Sequence, residues 1–573
     1  MIIIYDLKIS LKKGVAISEQ EWEGIFHEEI LKALKDYKDK FLSLMETGVI
    51  KRSLDLRQKE PKVVFKGFIN IEGALEFQEK GLVEYLSSKN IKSKIAPPGE
   101  GKEPGSRIMI TPGLKKERGA VIVGMGPAGI FAALGLLERG ISPVIIEKGK
   151  RVEERIKDVA ALFSKGIFNP KSNVVFGEGG AGTFSDGKLT TRKNDPIVSS
   201  ILNFLVEMGA EKNILKENRP HIGSDVLVLI LKNIRKYLEE RGVGIFFEEE
   251  VTGVAVESSR IRAVITGRRE IEAGFLILAC GSNSYDVYEM LDKKGVLMER
   301  KPFAAGFRIE HKRDFIDGLF FKGNASRKEK KGSDLINSAI KSVYYNISSK
   351  EFGGYSFCMC PGGVVINASA APGLLSVNGM SYSGRELENS NSAIVVPVRP
   401  EMLPPEYSNP LGGLRFRKEM EGKAFRAGGS NYSAPFQPTI EFVKSANEAT
   451  GKYKSFKPER GRHEVPEPSY RPCAAYYPLI DIYPDFLNNS IAGSLMEFES
   501  KYNGFTLKSV MTGIETGTSS AVRIKRDEDF ESPSLKGLFP CGEGSGYSGG
   551  IVTSAIDGIR CARKVAEKIK NIA

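Results

Sequence analysis

The sequence predicts an α/β protein: a nucleotide-binding, Rossmann-like domain with an inserted β-rich cap domain, preceded by an N-terminal ferredoxin-like α+β domain. Three observations lead to this fold class. A strand, a glycine-rich turn and an apolar helix follow one another from Ala120 to Gly149. A second glycine-rich strand end lies far downstream, near Gly542. The first 95 residues alternate in the order βαββαβ. At 573 residues the chain is also too long for one small core.

Composition indicates a water-soluble protein of the cytoplasm. Apolar residues make up 41% of the chain and charged residues 27%. The longest apolar run, Val121 to Leu137, is interrupted by glycines and is not a membrane span. The N-terminal residues lack the pattern of an export signal. Six scattered cysteines fit free thiols in a reducing compartment better than a disulfide framework.

The net charge of +12 raises the question of a polyanionic partner. Lysines and arginines are interleaved with acidic residues, as in residues 148–157 and 523–531. Such mixed sequences are typical of solvated surfaces. We therefore expect no nucleic-acid partner.

Residues 1–95 are predicted to form the ferredoxin-like domain. The strand-like and helix-like segments are residues 2–11, 19–35, 49–56, 63–71, 74–88 and 91–95. Residues 96–117 are rich in proline, glycine and charge, and are predicted to be a linker.

Each part of the stretch from Ala120 to Gly149 has a physical role in binding a dinucleotide. Gly124 permits a tight turn, Gly126 lets a pyrophosphate approach the backbone, and Gly129 lets the helix pack against the strand. The helix that starts near Pro127 would point its N-terminus at the pyrophosphate. Glu147 ends the next strand, where its carboxylate can bind a ribose hydroxyl.

Residues 118–301 are predicted to form the first part of the nucleotide-binding domain. A long amphipathic helix runs to Arg241, with Ser224 or Asp225 as its N-cap. The strands at 244–250, 251–257 and 261–266 are predicted to form a β-meander. The last strand, 270–281, is almost wholly apolar near its end and is predicted to lie in a buried parallel sheet.

Residues 302–505 are predicted to be the inserted, β-rich substrate or cap domain. They contain alternating strands at 303–310, 355–369 and 393–398, many loops, and a segment rich in tyrosine and proline. Residues 506–573 return to the nucleotide-binding domain with a strand at 537–543, a glycine-rich turn and a final helix from Ile551.

Three further clusters are suited to a flavin. The loop from Phe176 to Leu189 is rich in glycine and could form a nest of N–H groups, although a flexible surface loop has the same composition. The strand ending at Gly281 finishes where doubly wound folds bind ligands. Glu543 could bind ribityl hydroxyls, and the helix from Ile551 could stabilise negative charge on reduced flavin, or merely pack.

Several strings resemble the bacterial family of uncharacterised FAD-utilising dehydrogenases, which has a glutathione-reductase-type nucleotide fold. The resemblance spans nearly the whole chain. The matching strings are residues 180–189, 221–225, 355–363, 378–382, 515–520 and 542–550.

The resemblance implies that the cofactor is FAD and leaves the reaction open. One departure is Gly517, which stands where the family pattern has arginine, so an anion-binding role at that position is not expected here. The residues predicted to bind the cofactor are Gly124, Gly126, Pro127, Ala128, Gly129, Glu147, Lys148, Gly180, Gly182, Ser185, Lys188, Leu189, Val251, Ala279, Cys280, Gly281, Gly542, Glu543, Gly550 and Ile551.

A more distant similarity is to geranylgeranyl reductases and aromatic hydroxylases, whose inserted sheet lies over the flavin. This similarity implies that residues 355–370 line the substrate cavity.

No catalytic residue follows from the sequence, because flavin N5 can exchange a hydride without a protein acid or base. Five weaker candidates are His221, Arg308, His311, Cys358 and Cys360. Cys358 and Cys360 would share a face of a strand and could approach the ring, but packing as small hydrophobic residues is the favoured interpretation. His221 could donate a proton or simply pack at the start of a helix. With no second cysteine pair, no metal site is expected.

The sequence thus predicts an FAD-dependent oxidoreductase that transfers a hydride at flavin N5 to or from a small or lipid-like organic molecule. Only the GxGxxG unit at Gly124 comes with a strand, a helix and a ribose-binding acid, which disfavours a stably bound second nucleotide. The electron donor would be a transient NAD(P)H, a redox protein or the substrate itself. The alternatives are an FAD-containing, nucleic-acid-associated protein and a non-catalytic, FAD-bound scaffold or sensor.

Overall fold

The computed structural model describes residues 2–10, 19–34, 45–55, 62–71, 76–95, 119–191, 195–217, 219–320, 343–450 and 464–571. The predicted linker at 96–117 lies outside these residues. The described part is a mixed α/β structure, and its residues divide between two compact units. Unit 1 comprises residues 1–107, 195–221 and 316–343, and unit 2 comprises the remainder.

The helices, in chain order, are α1 (Glu19–Ala33), α2 (Glu76–Ser88), α3 (Pro127–Leu137), α4 (Val152–Lys165), α5 (Ile197–Glu207), α6 (Ser224–Glu239), α7 (Tyr285–Lys293), α8 (Arg313–Phe320), α9 (Gly412–Ala427), α10 (Thr439–Thr450), α11 (Asp485–Lys501) and α12 (Ile551–Lys570).

The strands are β1 (Ile2–Ser10), β2 (Met45–Asp55), β3 (Lys62–Ile71), β4 (Lys92–Ile95), β5 (Ala120–Val123), β6 (Val144–Ile146), β7 (Gly244–Phe246), β8 (Val251–Glu257), β9 (Arg260–Thr266), β10 (Glu270–Glu272), β11 (Phe275–Leu278), β12 (Met298–Arg300), β13 (Phe303–Lys312), β14 (Tyr355–Cys360), β15 (Val364–Asn367), β16 (Val377–Met380), β17 (Asn389–Val398), β18 (Ala434–Pro438), β19 (Ala474–Tyr476), β20 (Val510–Glu515), β21 (Val522–Ile524) and β22 (Leu538–Pro540).

Unit 1 contains an antiparallel sheet of strand order β2-β3-β1-β4. Its first four strands and two helices follow one another in the predicted βαββαβ order. The core forms where the apolar face of α1 meets the sheet, with Trp22 and Phe26 against Phe65 at ring distances of 5.7 and 5.8 Å. The apolar residues of α1 recur three or four positions apart, which is why one face of this helix is buried.

In unit 2 the five strands β22-β11-β5-β6-β7 form a wholly parallel sheet. The strand β22 lies within the strand predicted at residues 537–543, and it pairs with β11 in this sheet. β5 and β11 are buried at every position, which explains their continuous apolar sequences. Their carboxyl ends bring the segments after Val123, Ile146, Leu278 and Pro540 to one edge of the sheet.

The predicted β-meander is wrong in one of its three strands, the one at residues 244–250. β7 pairs with β6 in the parallel sheet, and the three-stranded antiparallel sheet is β10-β9-β8. The β8–β9 turn is tight because Ser258 and Ser259 both have positive φ, 48° and 61°. The strand predicted over residues 270–281 is interrupted at residues 273–274, and its two parts, β10 and β11, belong to different sheets.

The predicted cap of α6 is also wrong. Gly223, with φ of 87°, precedes the helix, and no side chain caps it. The Asp225 carboxylate instead accepts hydrogen bonds from the N–H and hydroxyl of Ser383, at 2.9 and 2.7 Å. A Cβ at position 223 would lie 2.4 Å from the Ser383 nitrogen, so this close approach requires glycine.

The chain between β11 and β22 contributes a six-stranded sheet of order β14-β17-β13-β20-β18-β19. Its pairs are antiparallel except for β18 with β19. This region also contains α9, α10 and α11, which the sequence analysis treated as loop or left unassigned. Residues of β14 and β20 in this sheet line a cavity of unit 2.

Candidate cofactor-binding site

A cavity of about 320 Å³ in unit 2 collects most of the predicted cofactor-binding residues. Its wall is formed by the carboxyl edge of the parallel sheet, the glycine-rich loop after α4, and parts of β14, α9 and β20. The predicted residues on the wall are Gly124, Gly126, Pro127, Ala128, Glu147, Lys148, Gly180, Gly182, Ser185, Lys188, Val251, Ala279, Cys280, Gly281, Glu543, Gly550 and Ile551.

Three predicted residues, Gly129, Leu189 and Gly542, do not line the cavity. A Cβ at Gly129 would lie 1.9 Å from the carbonyl oxygen of Gly124, and one at Gly542 would lie 2.6 Å from Cβ of Ala128. These two glycines therefore allow neighbouring segments to pack closely behind the wall. The Leu189 side chain is buried.

The N-termini of α3 and α12 both reach this cavity. Pro127 occupies the first turn of α3, and Gly124 makes the preceding turn with φ of 99°. Gly126 precedes α3 and Gly550 precedes α12, and no side chain caps either helix. The first N–H groups of both helices are thus available to an anionic or polar ligand.

The two helices also pack tightly against each other. A Cβ at Gly558 would lie 2.3 Å from the carbonyl oxygen of Ala128, and one at Gly135 would lie 2.9 Å from Cβ of Ala562. Small residues at this crossing allow both helix starts to face the same cavity.

Glu147, predicted to bind ribose, has both oxygens engaged with backbone. Its Oε2 accepts the N–H of Met125 at 2.8 Å, and its Oε1 accepts those of Gly149 and Gly177 at 2.9 and 3.1 Å. The carboxylate thus ties together the turns around the cavity. Its contact with a ribose stays a prediction.

The glycine-rich loop is held from beneath by Arg155, which is completely buried. Its guanidinium donates hydrogen bonds to the carbonyl oxygens of Asn173, Val174, Glu178 and Gly180 at 2.6–2.9 Å. Burial lowers the pKa of Arg155 to about 10, so the side chain remains charged near neutrality. This loop is an ordered wall of the cavity, in contrast to the flexible-loop alternative.

Glu543 lies on the cavity wall, in the glycine-rich turn that follows β22. It accepts a hydrogen bond from the Ser282 hydroxyl at 2.9 Å. Burial raises the pKa of Glu543, although the hydrogen bonds from Ser282 and the Gly550 N–H oppose this shift. Glu543 therefore lines the cavity, and its contact with the ribityl hydroxyls stays a prediction.

Opposite the parallel sheet, the wall carries charged side chains. Asp186 accepts hydrogen bonds from Arg385 at 2.8 Å and Ser381 at 2.6 Å, and lies 3.0 Å from the Lys188 ammonium. Glu515 accepts a hydrogen bond from the fully buried Arg308 at 2.8 Å. Burial, opposed by Arg308, raises the pKa of Glu515 to about 7.

A second polar group on this wall centres on Arg417 of α9. Its Nη2 donates to the Asn283 side-chain oxygen at 2.6 Å and lies 3.7 Å from Glu421. Its Nε and Nη1 have no hydrogen-bond partner among the described residues. A Cβ at Gly517 would lie 3.7 Å from Nη2, so the residue that departs from the family pattern borders this arginine.

Sequence reasoning did not identify Asp186, Tyr285, Arg417, Glu421 or Glu515, all of which line the cavity. Asp186 and Glu515 lie within strings that carry the family resemblance, and this was a usable signal. Arg417 and Glu421 had no such signal, because α9 was not predicted.

Of the five weak catalytic candidates, only Cys358 lines the cavity. Arg308 and Cys360 are fully buried beside it. His311 is buried with its Nε2 2.6 Å from the Phe505 carbonyl oxygen, and burial lowers its pKa to about 4. His221 belongs to unit 1 and does not line the cavity of unit 2. A direct catalytic role is therefore not supported for either histidine.

Within the described ranges, no three His, Cys, Asp or Glu side chains are grouped as a metal site requires. In the same part of the chain, none of the helices combines the length and apolar character needed to span a bilayer.

Residues 302–518 match the family model for the FAD-dependent protein, C-terminal domain-like. A protein of Clostridium beijerinckii (strain ATCC 51743 / NCIMB 8052), named only as an uncharacterized protein, is 36% identical over 549 residues, which cover 95% of this chain and 96% of that protein.

Solved structures give weaker likenesses. CtdE in complex with FAD is 12% identical and covers 78% of this chain and 83% of its own, with a TM-score of 0.30. The flavin-dependent brominase Bmp2 is 13% identical and covers 79% of each chain, with a TM-score of 0.31. A flavocytochrome c3 fumarate reductase is 12% identical and covers 80% of this chain and 79% of its own, with a TM-score of 0.29. These scores are too low to carry a conclusion.

Proposed function

The chain belongs to a family of FAD-dependent proteins, as its near-full-length relative and the match over residues 302–518 show, and from this we propose its function. We propose an FAD-binding oxidoreductase that transfers a hydride between flavin N5 and a small or lipid-like organic substrate. FAD is its cofactor. The observation that carries the proposal is the single cavity reached by the uncapped starts of both α3 and α12.

The residues present fit FAD. The backbone at Gly126 is approachable, because this glycine leaves open the place that a Cβ would fill, with Gly180 the nearest neighbour at 3.9 Å. The free N–H groups that start α3 would hold the diphosphate, and those of α12 would face the flavin. Glu147 would hold the adenosine ribose and Glu543 the ribityl chain.

When bound, FAD supplies a ring nitrogen that accepts or donates a hydride. The protein's own residues position the substrate and handle the accompanying proton. Glu515 lines the cavity with its pKa raised to about 7, so it can hold or release a proton at Oε near neutral pH. Phe357, Ala368 and Ala370 provide apolar surface on the same wall, which supports an organic substrate with an apolar part.

We also propose the domain boundaries given by the sequence. Residues 118–301 and 506–573 would form the FAD-binding domain, since β11 and β22 are adjacent although far apart in sequence. Residues 302–505 would be the inserted cap that covers the substrate. Residues 1–95 would be a separate ferredoxin-like domain. The electron partner would be a transient NAD(P)H or a redox protein. The protein would act in the cytoplasm.

The test compares the natural chain with Gly126→Ala. Purified natural protein should show flavin absorbance, and its apoprotein should rebind FAD. An alanine at 126 has room in the folded chain, but its methyl group would occupy the diphosphate's approach, so FAD affinity should fall at least about tenfold while the circular dichroism stays unchanged.

Gly274→Ala is the matched control, because no atom lies within 4 Å of its Cβ position. It should bind FAD like the natural chain.

Photoreduced protein should then be reoxidised anaerobically at a rate that depends on which organic acceptor is added. Equal FAD affinity in Gly126→Ala, or a reoxidation rate that ignores every acceptor, would refute the proposal.

A further inference from the structure

Cys358 and Cys360 lie at a bulge in β14. Phe357 pairs with Ala393 and Cys360 with Asn391, so three steps along β14 match two along β17. Cys358 adopts the left-handed region with φ of 48°, which is uncommon for a residue with a side chain. Bulges redirect side chains, and here the Cys358 thiol reaches the cavity wall while Cys360 is fully buried beside it.

Two cations border the sulfurs. The Lys188 ammonium lies 3.9 Å from Sγ of Cys358 and 3.8 Å from Sγ of Cys360. The Arg308 Nη2 lies 3.3 Å from Sγ of Cys360 and 2.7 Å from the Cys358 carbonyl oxygen. A positively charged neighbour favours the thiolate, which is the reactive form of cysteine.

The two thiols differ in acidity. The hydrogen bond from the Cys360 thiol, aided by Lys188 and Arg308 and opposed by burial, lowers the pKa of Cys358. The same hydrogen bond and burial raise the pKa of Cys360. Cys358, at the cavity wall, is thus the more acidic thiol of the two, and Cys360 is buried beside it with its sulfur next to the same Lys188 ammonium. Such a difference in acidity between neighbouring thiols favours thiol–disulfide chemistry.

The other four cysteines lack this combination. Cys280 lines the cavity, but burial raises its pKa to about 11. Cys541 and Cys561 are buried, and Cys473 is exposed away from the cavity wall. Cys473 therefore serves as a matched control.

We propose that Cys358 and Cys360 form a redox-active dithiol that exchanges one electron pair with bound FAD. The inference rests on the proposed FAD-binding function and adds a second redox group to the same site. A sulfur–sulfur bond forms as the Cys358 thiolate and the Cys360 thiol lose two electrons and the Cys360 proton. Oxidised FAD takes up that electron pair and proton, and the products are the disulfide and the reduced flavin anion, FADH⁻. The reverse step regenerates thiolate, thiol and oxidised FAD.

The experiment is an anaerobic titration of the fully oxidised holoprotein with dithionite, followed by flavin absorbance. The natural chain and Cys473→Ser should take up four electrons per bound FAD, whereas Cys358→Ser and Cys360→Ser should take up two. Alkylation of the denatured natural chain should label two more thiols after reduction than before, and peptide mass analysis should find residues 358 and 360 linked in the oxidised form.

Uptake of two electrons by the natural chain, with FAD bound and fully reduced, would overturn the dithiol and leave the proposed function standing. Absence of bound FAD would instead refute the proposed function. The alkylation count and the linked peptide need only the natural chain, so they decide the matter even if a serine variant does not fold.

Discussion

The two walls of the cavity are built by different means. On the sheet side, close backbone approach makes the wall, and the left-handed positions are glycines such as Gly124, Gly281 and Gly550. On the opposite side, buried charged side chains make the wall, and its left-handed positions include Cys358 and the nearby Arg385, which are not glycines. The first wall is made by leaving side chains out, and the second by fitting side chains together.

This difference has a consequence for how each wall responds to change. A wall made of backbone is sensitive to any added carbon atom, because backbone atoms cannot move aside cheaply. A wall made of paired charges is sensitive to protonation and to loss of a partner.

The largest effect is expected at Gly129, behind the backbone-built wall. In Gly129→Ala the new Cβ would lie 1.9 Å from the Gly124 carbonyl oxygen, so the free energy of unfolding should fall by about 4 kcal/mol or more. Denaturant unfolding measures this. Gly549→Ala is the control, since nothing lies within 4 Å of its Cβ position. Similar stability of the two variants would show that the wall can relax.

A smaller effect, through pH, is expected at Glu515 on the charge-built wall. Burial raises the pKa of this carboxyl to about 7, while its partner Arg308 remains charged. In the unfolded chain the pKa returns to its ordinary value near 4.5. The stability that this group contributes is therefore complete below about pH 4.5 and is lost as pH rises through about 7, by as much as about 3 kcal/mol.

Glu515→Gln should remove this part of the pH dependence. The measurement is the difference between the unfolding free energies of the two proteins from pH 4.5 to pH 8. A difference that does not vary with pH would mean that Arg308 keeps Glu515 ionised throughout, and that the charge pair is not a proton store.

The backbone-built wall could be predicted from the sequence because its determinants are local. Gly124, Gly126, Gly129 and Glu147 lie within 24 residues, and their spacing alone fixes the strand, turn and helix. The return of the chain to this sheet was also predictable, since an apolar strand followed by a glycine-rich turn occurs again at residues 537–550.

The charge-built wall could not be predicted, because its partners are remote in sequence. Lys188 reaches Cys358 across 170 residues, and Asp186 reaches Arg385 across 199. The helix α9 was missed for a related reason. Its buried face includes Arg417 and Glu421, so the apolar periodicity that reveals a helix is interrupted.

The smallest effect is expected at Cys358, where the charge-built wall adopts the backbone conformation that glycine favours. Cys358→Gly relieves the left-handed backbone strain, but a glycine also gives the unfolded chain more conformational entropy to lose on folding. Because these two effects oppose each other, the free energy of unfolding should stay within about 0.5 kcal/mol of that of the natural protein. Cys360→Gly, two residues along in a regular and fully buried position, should cost about 2 kcal/mol. Thermal and denaturant unfolding of both variants measure the contrast. Equal losses would mean that the contacts of the Cys358 thiol with its cations outweigh the strain of its backbone, and that this wall holds its left-handed residue by side-chain chemistry alone.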